Sequence, residues 1–298
     1  MAGMTPDVPP RHASSARVRD DSPGRDLLRQ IGVISAVCFM LIAALVGSGV
    51  FGGEDVDETQ GGALDADSTV LAPDGPAFSI WSVIYVLMVA YAIWQALPSQ
   101  RRRERQRRVG WWIAVTAVLN GLWLVAAQFV TLFATVVAIV LLLVALAITI
   151  RLLSRDPGDS PLDAVLMDVT VGLHLGWVAL ATVANVTAWL AADIAPESWG
   201  DAAEPVGIVV LVVVALIGVA AGIGTRGRLA PSLAMAWGLF WIGVGRTVGE
   251  PESPSVAIAA WVAAAAVLVT PVIVLATGRG RGELAHARSG DRLPRASR

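Results

Sequence analysis

Cysteine and histidine are nearly missing from this chain of 298 residues, which has one cysteine, Cys38, and three histidines. A single thiol excludes an intramolecular disulfide and any metal site built from cysteines. His12 and His286 sit in polar tails, which leaves His174 as the one histidine inside a hydrophobic segment. The sequence offers no nucleophile–base pair and no metal cluster, so the chain reads as a protein that is not an enzyme. Charge is scarce as well. Charged residues make up 15% of the chain and hydrophobic residues 55%, with a mean hydropathy of +0.66. A water-soluble globular fold of this size needs far more charge to cover its surface and is excluded, as is disorder for the bulk of the chain. Composition therefore overrides the two domains that a prior of roughly 150 residues each would suggest. Lysine is absent and all 22 basic residues are arginine, while 11 tryptophans outnumber 6 phenylalanines and 2 tyrosines together.

What is present is apolar sequence in long runs. Eight stretches, near 31–51, 77–97, 110–128, 130–150, 164–190, 205–224, 229–248 and 255–277, are long enough to cross the membrane. The hydrocarbon is about 30 Å thick and takes roughly 20 helical residues to span. Helix is the expected state, because a backbone in lipid must pair its own amides and no strand-like alternation is visible. The fold class is thus all-α, a polytopic integral membrane protein of about eight transmembrane helices. Gln128 and Phe129 leave room for only a tight turn between the third and fourth spans, one 40-residue helix being the alternative. The first span is not expected to be a cleavable signal, since about 30 polar residues precede it.

Arginine sets the orientation. All of the arginines except Arg246 fall in the N-terminal tail, the 98–109, 151–163 and 225–228 loops, or the stretch after residue 278, which lie on one side of an eight-pass topology. The alternate loops are acidic: 52–76 carries Glu54, Asp55, Asp57, Glu58, Asp65, Asp67 and Asp74, and 191–204 and 250–252 add more. The positive-inside rule then places both termini in the cytoplasm and the acidic loops outside, with the cell's plasma membrane as the expected location. Residues 1–29 read as a disordered cytoplasmic tail and 278–298 as a basic one. The run RRRERQRR (101–108) reads as a stop-transfer and anionic-lipid segment rather than a nucleic-acid patch. Arg246, the exception, needs a partner such as Glu250 if it is buried; a snorkelled structural role is the alternative.

Within the spans, Asn120, Gln128, His174, Asn185 and Asp168 are expensive to bury and should face the bundle or a cavity. Phe78, Trp81, Ser82 and Tyr85 share one helical face at i, i+3, i+4 and i+7. Asn120 and Trp123 share another, continued by Ala127, and His174, Trp177, Ala181, Thr182 and Asn185 a third. Trp94, Trp111, Trp112, Trp189, Trp199 and Trp261 lie near span ends and read as interfacial anchors. Trp81, Trp123 and Trp177 fit that reading less well, because each shares a face with a polar residue. For those polar residues, structural hydrogen bonding between helices and ligand contact are both open.

These residues resemble a family. PAFSIWSVIYVLMVAYAIWQ (76–95) is similar to the second helix of the TspO/MBR proteins, the tryptophan-rich sensory or translocator proteins, through Trp81, Ser82, Ile84 and Tyr85. LNGLW (119–123) resembles their third-helix motif through Asn120 and Trp123. WVALATVAN (177–185) resembles the fifth through Trp177, Ala181, Thr182 and Asn185. The resemblance covers about 31–190. It implies a five-helix membrane domain (30–190), here extended by three helices (191–277), with a pocket for flat hydrophobic ligands such as porphyrins and haem. No cofactor is required; a porphyrin or haem enters as a ligand. By position the resemblance assigns ligand contact to Trp81, Tyr85, Asn120, Trp123, Trp177, Ala181 and Asn185. His174 stands where the family has a Pro-Tyr pair and is a candidate axial haem ligand, since neutral imidazole suits iron; a histidine hydrogen-bonded to a neighbouring helix is the other reading. The family's double proline is reduced to Pro73 and Pro76, and its third-helix phenylalanines become Ala127 and Gln128.

The expected function is a membrane sensory or receptor protein that binds a small hydrophobic ligand, with regulation or transport of tetrapyrroles as the outcome. The 52–76 loop would be the lid, the lipid membrane the other partner, with no nucleic acid, and a homodimer is left open. The alternative is a secondary transporter with a midplane site; Asp168 is the carboxylate on which it would rest, and no internal repeat supports it.

Overall fold

With no water to accept its amides, each apolar stretch closes its hydrogen bonds within itself and forms a helix. The computed structural model describes residues 23–50, 55–56, 58–156 and 158–290. Its long helices are α1 (Pro23–Gly47), α2 (Ile80–Ala96), α3 (Glu104–Phe129), α4 (Leu132–Arg155), α5 (Pro161–Ile194), α6 (Ala203–Gly224), α7 (Leu229–Val248) and α8 (Pro254–Gly290). α5 passes through a π-helical turn at Ala164–Val169 and ends in another at Leu190–Ile194. The break between α3 and α4 comes at Val130, and Thr131 caps the new helix by accepting from the Ala134 amide at 3.2 Å. The single 40-residue helix is thereby excluded.

Among the described residues, seven helices are long and apolar enough to cross a membrane, and α7 is not one of them. It holds Pro231, Ser232 and Arg246, all buried, and packs against α5 and α8, while Leu229, Leu233, Trp237 and Phe240 are exposed. Its polar residues thus lie on its packed side. Two expected boundaries shift. α1 reaches back to Pro23, so Asp26, Arg29 and Gln30 are buried helix residues rather than tail. α8 runs on to Gly290, past the tail boundary expected at 278. Residues 1–22 and 291–298 of those two tails lie outside the described residues.

Packing sorts the helices into a ring and a layer. α1 packs on α2 and α3, α3 on α4, α4 on α5, and α5 on α2, which closes a ring of five. α7 lies against the outer face of α5, α8 against α7, and α6 against α8. Each part has its own apolar core. Met40, Ile84, Met88, Ile113, Leu146 and Trp177 belong to the ring's, and Leu211, Leu239, Ile242 and Val267 to the layer's. The seam between them is made by glycine. A Cβ on Gly176 would stand 2.0 Å from the Pro231 carbonyl oxygen, and one on Gly238 would stand 2.2 Å from Leu180 Cδ2. Small residues let two backbones approach where no hydrophobic drive separates helix from lipid, so contact comes from close packing.

The arginine-rich end is stapled. Arg105, 5% exposed, pairs with Asp163 and, at 2.6 Å, with Asp168, both on α5. Arg228, just before α7, takes the other oxygen of Asp168 at 2.5 Å. Arg107 reaches Asp26 on α1 at 2.6 Å, while Arg103 and Arg108 pair with Asp159 and Asp156. Arg29 donates to the Gln95 side chain at 3.0 Å and to the Arg101 carbonyl at 3.1 Å. These contacts correct the lipid-facing reading of 101–108. The carboxylates that neutralise most of the run come from its own chain, held at the same end by neighbouring helices. Removing one member of such a buried cluster strands its partners, which costs about 3–5 kcal/mol. Arg105→Gln should therefore lower thermal stability in detergent by that amount, whereas Arg102→Gln, at an exposed position, should stay within about 0.5 kcal/mol; thermal unfolding of the two variants checks it.

Candidate functional site

The approach to α2 starts the site. Asp74 accepts from the Gly75 amide at 2.8 Å, and Pro76 stands at the head of a 3₁₀ turn, Gly75–Ser79, that brings Phe78 to the cavity's edge. Three-residue and four-residue steps then place Trp81 and Tyr85 on the same inward face. Trp81 stacks on Tyr85 with centroids 5.3 Å apart and meets Trp177 edge-on at 6.2 Å, and Phe78 meets Trp177 edge-on at 5.7 Å. Offset and edge-to-face geometries of this kind are the ones aromatic quadrupoles favour. Ser82 shares the stripe by spacing but is exposed on the outside of the ring.

These rings wall a cavity of about 370 Å³. Pockets for small ligands run from roughly 300 to 1,000 Å³ and are mostly apolar with a few placed polar groups. Trp81, Tyr85, Asn120, Trp123, Trp177, Ala181 and Asn185 all line it. Ala181 and Ala184 leave the α5 wall low, which opens room beside the indoles. Ile139 and Leu142 of α4, and Leu64 of the α1–α2 loop, line it too. Nothing in their chemistry marked them in the sequence.

The two amides have different duties. Asn185 accepts from Trp123 Nε1 at 2.8 Å and donates to Thr135 Oγ1 at 2.8 Å, which ties α5 to α3 and α4. Asn120, buried, accepts from the Tyr85 hydroxyl at 3.5 Å. Trp177 is 1% exposed, and its Nε1 has no hydrogen-bond partner among the described residues.

His174 stands apart. It is buried one turn before Trp177, beyond the edge of Trp81 at 5.7 Å, and does not line the cavity. An axial ligand must present its nitrogen to the guest, so the imidazole does not fit the role of a haem ligand here. Its Nε2 has no partner among the described residues either, so the interhelical hydrogen bond is not found at that atom. Asp168 lies in the ion-pair cluster at the arginine-rich end, outside the cavity lining. Trp94, expected at the lipid interface, is buried against Tyr91 in the ring core, and the side chain of Trp199 lies outside the described residues.

The described part of the α1–α2 loop roofs the cavity through Asp55, Val56, Ala63, Leu64, Ser68 and Ala72. Residues 51–54 and 57 of this expected lid lie outside the described residues. The roof is fastened on both sides. The Val56 amide donates to the Gly47 carbonyl at 3.0 Å and Gln60 Nε2 to that of Ala127 at 2.8 Å, which hold it to α1 and α3. On the other side Arg246 of α7, 1% exposed, donates through Nη1 to the Thr69 carbonyl at 2.9 Å and through Nη2 to that of Ala66 at 2.7 Å. The Asp74 amide donates to the Trp241 carbonyl and Trp237 Nε1 to that of Ala77. Loop carbonyls, not Glu250, are thus the hydrogen-bond partners of Arg246. A planar fork of donors suits two carbonyls at once, which a lysine ammonium does not. Arg246→Lys should loosen the roof: amides of 65–70 should exchange with deuterium at least about tenfold faster, the equivalent of about 1.4 kcal/mol, while those of α3 stay protected.

Comparison with known proteins places this arrangement. No curated protein and no solved structure matches the chain. The family model described as TSPO-like protein matches residues 29–273. That stretch takes in most of the ring and the greater part of the layer, so α6, α7 and the first part of α8 fall within the matched region. An all-helical ring with a tryptophan-walled cavity and a family match over most of the length leave one assignment: the chain belongs to the TSPO-like protein family and is an integral membrane protein.

Proposed function

We propose that this protein binds a flat hydrophobic ligand inside its five-helix ring and acts as a membrane sensor or carrier for it, not as an enzyme. The observation that carries the reading is the cavity of about 370 Å³ itself, walled by Phe78, Trp81, Tyr85, Trp123 and Trp177. Indole and phenol faces give large, stiff contact area at low entropic cost, and Ala181 and Ala184 leave a slot beside them. Tetrapyrroles are the class that the resemblance implies. The arginine distribution supports a plasma-membrane orientation with both termini in the cytoplasm and the roofed end outside. The transporter reading loses its support, because Asp168 is committed to Arg105 and Arg228.

Tryptophan emission reports binding directly, because three indoles form the wall. Adding protoporphyrin IX to the purified full chain should quench it saturably in the micromolar range, about −8 kcal/mol of binding free energy. Ala181→Trp fills the slot and should weaken binding at least about tenfold, and Asn120→Ala should weaken it through the loss of the Tyr85 contact. Titrations unchanged in both variants would remove the cavity as the binding site.

A further inference from the structure

We infer that the cavity selects an uncharged guest and discriminates against one that bears carboxylates. This rests on the reading of the cavity as a ligand site and adds the chemical class of its ligand. Asp55 is the charged residue in the described lining. No basic residue occurs between Arg29 and Arg101, and the described lining of the cavity holds no arginine. The other connections at this end, 130–131, 195–202 and 249–253, contain no arginine or lysine either. Arg246 does not line the cavity: it lies on the α7 side of the roof, where its terminal nitrogens donate to loop carbonyls and its charge faces Asp74, Asp67 and Glu250.

A carboxylate entering under the roof would therefore meet Asp55, with no arginine in the described lining to answer it. Like charges brought together without a counter-ion are the repulsive element by which sites exclude a wrong partner. The rest of the described lining is apolar or uncharged and suits a neutral guest instead. Asn185 is committed to Trp123 and Thr135, and the Tyr85 hydroxyl to Asn120. A flat, uncharged guest enters without stripping water from an ionised group, a cost that a carboxylate would bear in full.

Protoporphyrin IX and its dimethyl ester share one ring and differ in charge, so they isolate the effect. With the full chain in zwitterionic lipid nanodiscs at low salt, the ester should bind about tenfold more tightly than the diacid. Raising ionic strength should narrow that gap, since exposed charges are screened beyond about 8 Å at physiological salt. Asp55→Asn should narrow it too, by tightening the diacid more than the ester. Equal affinities, a tighter diacid, or an ester preference that neither salt nor Asp55→Asn changes would overturn the inference and leave the cavity standing. No binding of either compound would instead overturn the cavity reading on which it rests.

Discussion

A polar group inside a bilayer has no solvent to fall back on, and nearly every feature of this protein follows from where such groups find partners. Asn185 is tolerated because Trp123 and Thr135 complete it, and in being completed it pulls three helices together at one level. Arg105 is tolerated because two aspartates of α5 enclose it. Arg246 is tolerated because a loop folds its carbonyls over it. In each case the cost of an unsatisfied group, several kcal/mol in hydrocarbon, is turned into a fixed geometry. The cavity is the space left when these ties hold the helices and aromatic rings hold the walls.

Much of this was legible in the residues. The lengths of the apolar runs and the arginine rhythm gave the helix count, because span length and loop charge are properties of the chain alone. Trp81, Tyr85, Asn120, Trp123, Trp177, Ala181 and Asn185 could be grouped because helical spacing puts them on inward faces, and the structure brings them to one cavity. What could not be read depends on partners distant in the sequence. The arginines of 101–108 look like a lipid-facing run until Asp156, Asp159 and Asp163 are folded beside them. Periodicity gave His174 the same face as Trp177, but a difference of one turn in depth puts it behind Trp81. Ile139 and Leu142 carry no mark that separates a cavity wall from any other buried aliphatic. The length of α1 was also hidden, since its first turns are polar and are helical only because Gln95 and Arg107 receive them.

The two ends of the molecule manage charge in opposite ways. At one, the buried positive and negative groups are matched within the fold, which locks the ends of α3 and α5, while an excess of arginine remains at the surface. At the other, the connecting loops carry acids and no arginine, and the roof is held by backbone amides and by carbonyls that accept from Arg246 and Gln60. None of these ties uses an acidic side chain of the roof, which leaves its charge free to serve the guest.

The seam at Gly176 and Gly238 and the hook of Arg246 belong to the same helix pair, and together they make the ring inseparable from its neighbours. A shortened chain ending after Ile194 would retain every residue that resembles the five-helix proteins. It would also bare the small-residue side of α5 to lipid and forfeit the anchorage that α7 gives its ceiling, so that the chamber would persist as a trough open to passing acyl chains.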